Sequence, residues 1–587
     1  MKEFDVVIVG AGIAGMRAAI GAVKRNLRVA VITKVHPLRS PCVAADEGLN
    51  AVLENEDRKS NRDLSVSDLM DMHSNDTHEC GYRFSDDEAV ETMVRHAPAV
   101  IGELERWGCP LSLEKNNTYA VRKMGASSRP RNIHVSDQTG HAVLNTLYEQ
   151  CVRLRRNKPE NLRFFEEWFV LKLLVTNNTV AGVIAMQFSS GKMEIFRAKS
   201  IIWASGGSGR IYASTSNSLK SSGWGLAVPV LAGVTLKDIE FVQFNPTQLT
   251  GSHIQLTEAA RGEGALLLNR KGERFLASYN DSAKDMELSA QDVICRNIFR
   301  EILAGRGIDA SSVYLDMRPA GRRKISRVLP FTRELCKKHA GADPVSQLIS
   351  VRPGQSYFIG GIHTNEKAES DIDGLFAAGE CANPGVHGAN VCEGNQLTET
   401  LVFAEIAADS ASTYVLRHRN KKNINETLFR NAFEEEEQKL RKILSGKGEI
   451  RSAVLRNKMQ QIMDRHAGVF RDGMGLVEAA KGIRELKKLF HADLKIDSAE
   501  PRANYGLIDA LELKGSLEIA EIILQAALSR NESIGVHFRN DFPAAKGRHR
   551  HSLTRFRKTK IKIRYTGVKS RHKWLKEISP KTLIEKL

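Results

Sequence analysis

Asp5–Val9 reads DVVIV, one aspartate and then an unbroken apolar run of β-branched residues. Such a run predicts a strand covered on both faces in a parallel sheet, because neither face keeps polar positions for solvent. Met16–Lys24 follows as an alanine-rich helical stretch, and Leu27–Thr33 (LRVAVIT) is apolar and β-branched again. The order strand, helix, strand predicts a βαβ unit at the start of the chain. Two later apolar runs end in glycines: Ile201–Trp203 before Gly206-Gly207, and Leu375–Ala378 before Gly379. Further on, Asn425–Leu444 and Glu478–His491 set Leu and Phe among Glu and Lys at helical spacing, which predicts amphipathic helices. Near the end, Lys558–Tyr565 alternates charged with less polar residues, the period of a strand.

The first turn of the βαβ unit is Gly10-Ala11-Gly12-Ile13-Ala14-Gly15. In a GxGxxG turn, the position of Gly10 permits the tight turn, that of Gly12 lets backbone approach a pyrophosphate, and that of Gly15 lets helix pack on strand. The helix N-terminus offers unpaired amides and the positive end of its dipole to the phosphates. The second strand ends in Thr33-Lys34, without the acidic residue that ordinarily binds an adenosine ribose. The two later strand–glycine pieces decide between dinucleotides. In FAD enzymes of the glutathione-reductase type the chain leaves the nucleotide domain and returns, bringing an acidic residue toward the ribityl chain. Glu380 stands at that place. NAD enzymes rarely need the late return, so FAD is the expected cofactor.

With 587 residues, the chain has room for three or four domains. Its 42% hydrophobic and 26% charged residues are ordinary for a globular protein. No apolar stretch reaches the roughly eighteen residues a membrane span needs, and a strand pattern begins directly after Met1, so neither a span nor a secretory signal is expected. The eight cysteines form no CxxC pair, so no metal site and no intrinsic iron–sulfur cluster are expected, and reduced thiols suit a cytoplasmic location. The formal charge of +17 is uneven: Lys546–Lys576 holds thirteen Lys or Arg and no acid, leaving +4 for the rest. A solvated tail, an acidic partner protein or the anionic inner face of a membrane would each account for it. Nucleic acid is not expected, since no reading motif accompanies the charge.

Several segments carry a family resemblance. Glu240–Thr247 (EFVQFNPT), Thr257–Gly264 (TEAARGEG), Gly272–Phe275 (GERF), Asp137–His141 (DQTGH), Val386–Asn390 (VHGAN), and Asn531–Ser533 with Phe542-Pro543 resemble the flavoprotein subunits of succinate dehydrogenase and fumarate reductase, over about residues 3–570. The resemblance implies an α/β fold: a Rossmann-like FAD-binding domain (1–234 and 351–414), an inserted α+β capping domain (235–350), a helical domain (415–530) and a basic C-terminal segment (531–587). It implies FAD contacts at Gly10, Gly12, Ala14, Gly15, Thr33, Lys34, Ser40, Ala45, Gly48, Ala204, Gly206, Glu380, Asn395 and Leu397. It also implies hydride transfer with a four-carbon dicarboxylate and electron flow to an iron–sulfur partner subunit.

The substrate positions depart from the family. Asn245 stands for a histidine, Gln291 for the proton-delivering arginine, Ser356 for the substrate histidine, and Val391 for the second arginine, which would bring an apolar wall to where a carboxylate would sit. Thr257 remains, beside Glu258 and Arg261 of the family's proton relay. Pro41 replaces the histidine that often carries FAD covalently, so FAD is expected to be held non-covalently. Trp224 replaces an aspartate, Asp46-Glu47 replaces Gln-Gly beside the flavin, and Gln396 replaces a serine before Leu397. The expected protein is an FAD-dependent oxidoreductase subunit acting on a small molecule, with a pocket altered from the dicarboxylate pattern. Two alternatives are an electron-relay or structural subunit of a redox complex, and a soluble oxidase resembling L-aspartate oxidase. Cys42 and Cys392, in segments that border the flavin in the family, form a candidate thiol pair.

Overall fold

A computed structural model describes residues 1–53, 65–418, 426–544, 549–557 and 560–569. The N-terminal pattern folds as its periodicity predicts. Strand β1 (Lys2–Val9) enters helix α1 (Ile13–Lys24), and strand β2 (Val29–Thr33) follows. β1 lies parallel to β2 on one side and to Met193–Trp203 on the other, with Val6–Val9 in register with Val29–Ile32. Both faces of β1 are covered, and Val6, Val7 and Ile8 are fully buried. Among the described residues the sheet has seven strands. Leu162–Glu166 adds beside β2, an antiparallel pair (Trp168–Thr176 and Thr179–Gln187) extends the other side, and Leu375–Ala377 returns late to lie parallel to Met193–Trp203. The long helix Asn395–Arg417 packs against α1 on one face of this sheet.

A second, four-stranded antiparallel sheet orders Val242–Leu249, Ile349–Phe358, Val313–Asp316 and Leu266–Leu268. With helix Gln291–Leu303 it encloses its own core of Leu249, Leu267, Ile294, Ile298, Leu315 and Val351. The strand Ile349–Phe358 crosses the expected domain boundary at residue 350 as one continuous element. Four helices then follow (Glu426–Leu444, Ser452–His466, Gly473–Asp493 and Tyr505–Ser529), and two of them cover the predicted helical stretches.

The predicted C-terminal strand is present as Lys560–Gly567, paired antiparallel with Arg550–Arg557. Lys558 and Thr559 lie outside the described residues, as do Lys546 and the basic stretch beyond Lys569. The hairpin joins a sheet through Leu236-Lys237 and is fastened by a buried ionic network. Arg530 donates to Glu240 at 2.7 Å and to Asp238 at 3.3 Å, His551 meets Asp238 at 2.6 Å and Asp86 at 3.2 Å, and Lys237 pairs with Asp86. The Arg530 guanidinium also lies over the rings of Phe84, Phe241 and Tyr565.

Candidate functional site

The Gly10–Gly15 turn opens a cavity of about 770 Å³ that runs between the two sheets. Gly10 has φ +108°, and a Cβ there would fall 2.1 Å from the Ala204 carbonyl oxygen, so the turn closes on the neighbouring strand only with glycine. Gly12 caps α1 and has no side chain to satisfy the first amides of that helix. A Cβ on Gly12 would stand 2.9 Å from Ser40 Oγ, filling the cradle above the helix end. An uncapped helix N-terminus beside a side-chain-free cradle fits a pyrophosphate. The cavity's far wall comes from the late return. Glu380 follows the strand Leu375–Ala377 and accepts the Phe358 amide at 3.0 Å. Burial pushes its carboxyl up to about 7.

Of the predicted cofactor residues, Gly10, Gly12, Ala14, Thr33, Lys34, Ser40, Ala45, Ala204, Gly206, Glu380 and Leu397 line the cavity. Gly15, Gly48 and Asn395 stand behind it. Asn395 spends its amide on Asn50, His73 and Thr77, at 2.9 Å each. Lys34, at the place where a ribose-binding carboxylate is usual, pairs instead with Glu512 at 2.8 Å. Pro41 begins a short 3-10 turn, Pro41–Ala44, and offers no nucleophile. Among the described residues no group of His, Cys, Asp or Glu is arranged to hold a metal ion.

The catalytic candidates form one buried network. Gln291 donates to Glu258 at 3.0 Å and accepts from Gln243 at 3.2 Å, and Gln243 donates to Asn390 at 3.1 Å. Arg261 pairs with Glu258 at 3.3 Å and is held by Thr247 Oγ1 at 3.1 Å and the Glu287 carbonyl at 3.2 Å. Thr257, Glu258 and Arg261 lie behind the cavity wall, whereas Gln291 lines it. An amide fixed between two partners can orient a ligand but carries no proton to deliver.

The four positions expected to depart from the family separate. Gln291 and Ser356 line the cavity. Asn245 turns inward, accepting the Thr247 amide at 2.8 Å. Val391 does not form the expected apolar wall of the pocket. It is buried with Phe84, Phe241, Ile359 and Val536, because this apolar cluster competes for a side chain with no polar end to hold in the cavity. The cysteine expectation is also redrawn. Cys42 lines the cavity, but the thiol beside Cys392 is Cys80, whose Sγ accepts from Asn390 Nδ2 at 3.2 Å. All eight cysteines are free thiols.

Glu393 was not singled out in the sequence, whereas Glu47 was, as a departure beside the flavin. Glu47 and Glu393 both line the pocket, and their carboxyls reach one another. Glu393 also reaches Glu258, and Gln255 bonds Glu47. Burial pushes Glu47 up to about 7, helped by the charge of Glu258, and holds Glu393 well above the usual carboxylate range. The signal for Glu393 was an acidic residue in a glycine turn, Val391-Cys392-Glu393-Gly394, but nothing local shows where its side chain points.

Known proteins share this architecture. A family model described as an FAD binding domain matches residues 5–397, and one described as fumarate reductase flavoprotein C-term matches 456–582. The chain is 37% identical over 555 residues to the fumarate reductase flavoprotein subunit of Mycobacterium tuberculosis H37Rv, covering 92% of each chain. It is 35% identical over 564 residues to the succinate dehydrogenase flavoprotein subunit of Rickettsia conorii, covering 92% of this chain and 90% of that one. A solved quinol–fumarate reductase with menaquinol molecules superposes with a TM-score of 0.90 at 33% identity, covering 97% of this chain and 98% of that chain. With both models matched and these alignments running nearly end to end, the chain belongs to the FAD-dependent flavoprotein family of succinate dehydrogenase and fumarate reductase subunits.

Proposed function

We propose that this chain is the flavoprotein subunit of a redox complex, passing electrons between a small substrate and an iron–sulfur partner, with a pocket altered from dicarboxylate binding. The observation that carries the reading is the single cavity that joins the Gly10–Gly15 turn to Gln291, Ser356 and Tyr357. FAD bound there would supply hydride acceptance and stepwise electron release. The chain's own contributions are a helix end for the pyrophosphate, Glu380 toward the ribityl chain, and neutral hydrogen-bonding groups at the substrate end. Reduced thiols suit the cytoplasmic side. Since no helix among the described residues is long and apolar enough to cross a membrane, any membrane position would come through the partner or the basic tail.

Affinity purification of the full chain under anaerobic conditions tests the assembly. The expected result is flavin absorbance together with a cysteine-rich second chain and the electron paramagnetic resonance of reduced iron–sulfur clusters. A flavin-bearing chain that purifies alone and reduces oxygen directly would overturn the assembly and favour the oxidase reading.

The mode of flavin attachment gives a separate expectation. Acid precipitation should leave the yellow colour in the supernatant, because Pro41 has replaced the attachment residue and Cys42, its thiol raised by burial, is a weak nucleophile. A coloured pellet would contradict this.

A further inference from the structure

We propose that the carboxylate end of the cavity binds an organic ammonium ion in place of a dicarboxylate. The inference rests on the reading of this cavity as a flavin and substrate pocket. Three carboxylates gather there: Glu47 and Glu393 on the cavity wall and Glu258 directly behind. The guanidinium that acts on Glu47 is that of Arg261, and it is committed. Arg261 pairs with Glu258, is anchored to Thr247 and the Glu287 carbonyl, and does not line the cavity.

Glu393 is the second, independent observation. It is 3% exposed, it lines the cavity, and no donor among the described residues reaches either of its carboxylate oxygens. An ionised carboxyl is acceptor-only, so neighbouring Glu47 and Glu258 can serve it only by sharing a proton. A buried carboxylate left without donors is costly, and a ligand bringing donors and positive charge removes that cost. Burial first, and the neighbouring carboxylates second, push Glu47 and Glu393 toward their protonated forms, and a cation bound beside them would draw them back toward ionisation.

An ammonium group suits the walls better than a bare metal ion. It brings three N–H donors to a site rich in acceptors, while Gln255, Gln291, Ser356 and Tyr357 offer neutral groups along an organic stem. No set of ligands converges for a metal ion among the described residues. The charge-inverted counterpart of a four-carbon dicarboxylate is a four-carbon diammonium, so 1,4-diaminobutane is the first probe and butylamine the second.

Isothermal titration of the FAD-loaded full chain tests this. The expected result is saturable binding of 1,4-diaminobutane, with succinate at least about tenfold weaker, and a loss of about tenfold or more in Glu393→Gln. Glu47→Gln serves as a second variant should the first fold poorly, and flavin absorbance checks that each variant keeps its cofactor. Absence of amine binding by yellow protein, equal binding by wild type and both variants, preference for succinate, or binding of Mg²⁺ alone would overturn the ammonium assignment and leave the flavin reading intact. A colourless chain that refuses added FAD would remove the flavin reading itself, and absorbance reports that independently of the titration.

Discussion

Fumarate supplied with reduced viologen should be turned over two to four powers of ten below the ordinary enzyme rate of about 10 per second. The reason is the fate of the positions that, by the family resemblance, are expected to clamp and protonate a dicarboxylate. Gln291 lies in the cavity wall, but its amide is bound to Glu258 and Gln243 and has no acidic proton. Val391 is withdrawn into an apolar cluster, so no guanidinium arrives from that turn. Each charged hydrogen bond so lost is worth roughly 1.5–3 kcal/mol. Glu47 and Glu393 line the cavity and bring no cation to whatever carboxylate would enter. Steady-state assay of the flavin-loaded protein measures this, and turnover on the order of 10 per second would refute it.

Replacing Arg530 by Met should destabilise the fold by about 3–5 kcal/mol, the cost of stranding buried charges. Asp238 and Glu240 would keep their burial and lose their guanidinium, at the point where the C-terminal hairpin meets the rest of the chain. The exposed pair Arg300–Asp281 is the control: Arg300→Met should cost no more than about 1 kcal/mol. Thermal midpoints of the two variants, measured side by side, decide it. Equal shifts would show that the network contributes no more than a surface pair. The same network has a pH dependence of known sign. Burial and Lys237 oppose protonation of His551, but the carboxylates of Asp238 and Asp86 prevail and raise its pKa. Its contribution is therefore fully present below the unfolded value of about 6.5 and is lost as pH rises through the higher folded value.

The glycine turn that opens the cavity was legible because its signal is contiguous. A βαβ turn holds strand, glycines and helix N-terminus within one short segment, and each glycine answers a local steric demand. Gly10, whose Cβ would strike Ala204, shows this directly. Glu380 could be placed because a strand and a glycine precede it in the same segment. The substrate half was only partly legible. The replacements at Asn245, Gln291, Ser356 and Val391 are visible in the chain, yet two of the four side chains do not face the cavity.

What the sequence determined by itself was the βαβ start, the late return and the strand period of the C-terminal hairpin. All of these rest on residues close together in the chain. Only the tertiary structure decided which thiol stands beside Cys392, that Arg530 ties the hairpin to Asp238 and Glu240, and that Glu47 and Glu393 share one end of a cavity with Glu258 behind them. Those groups come from segments far apart in sequence. Their charges interact only once burial has removed the water that would otherwise screen them.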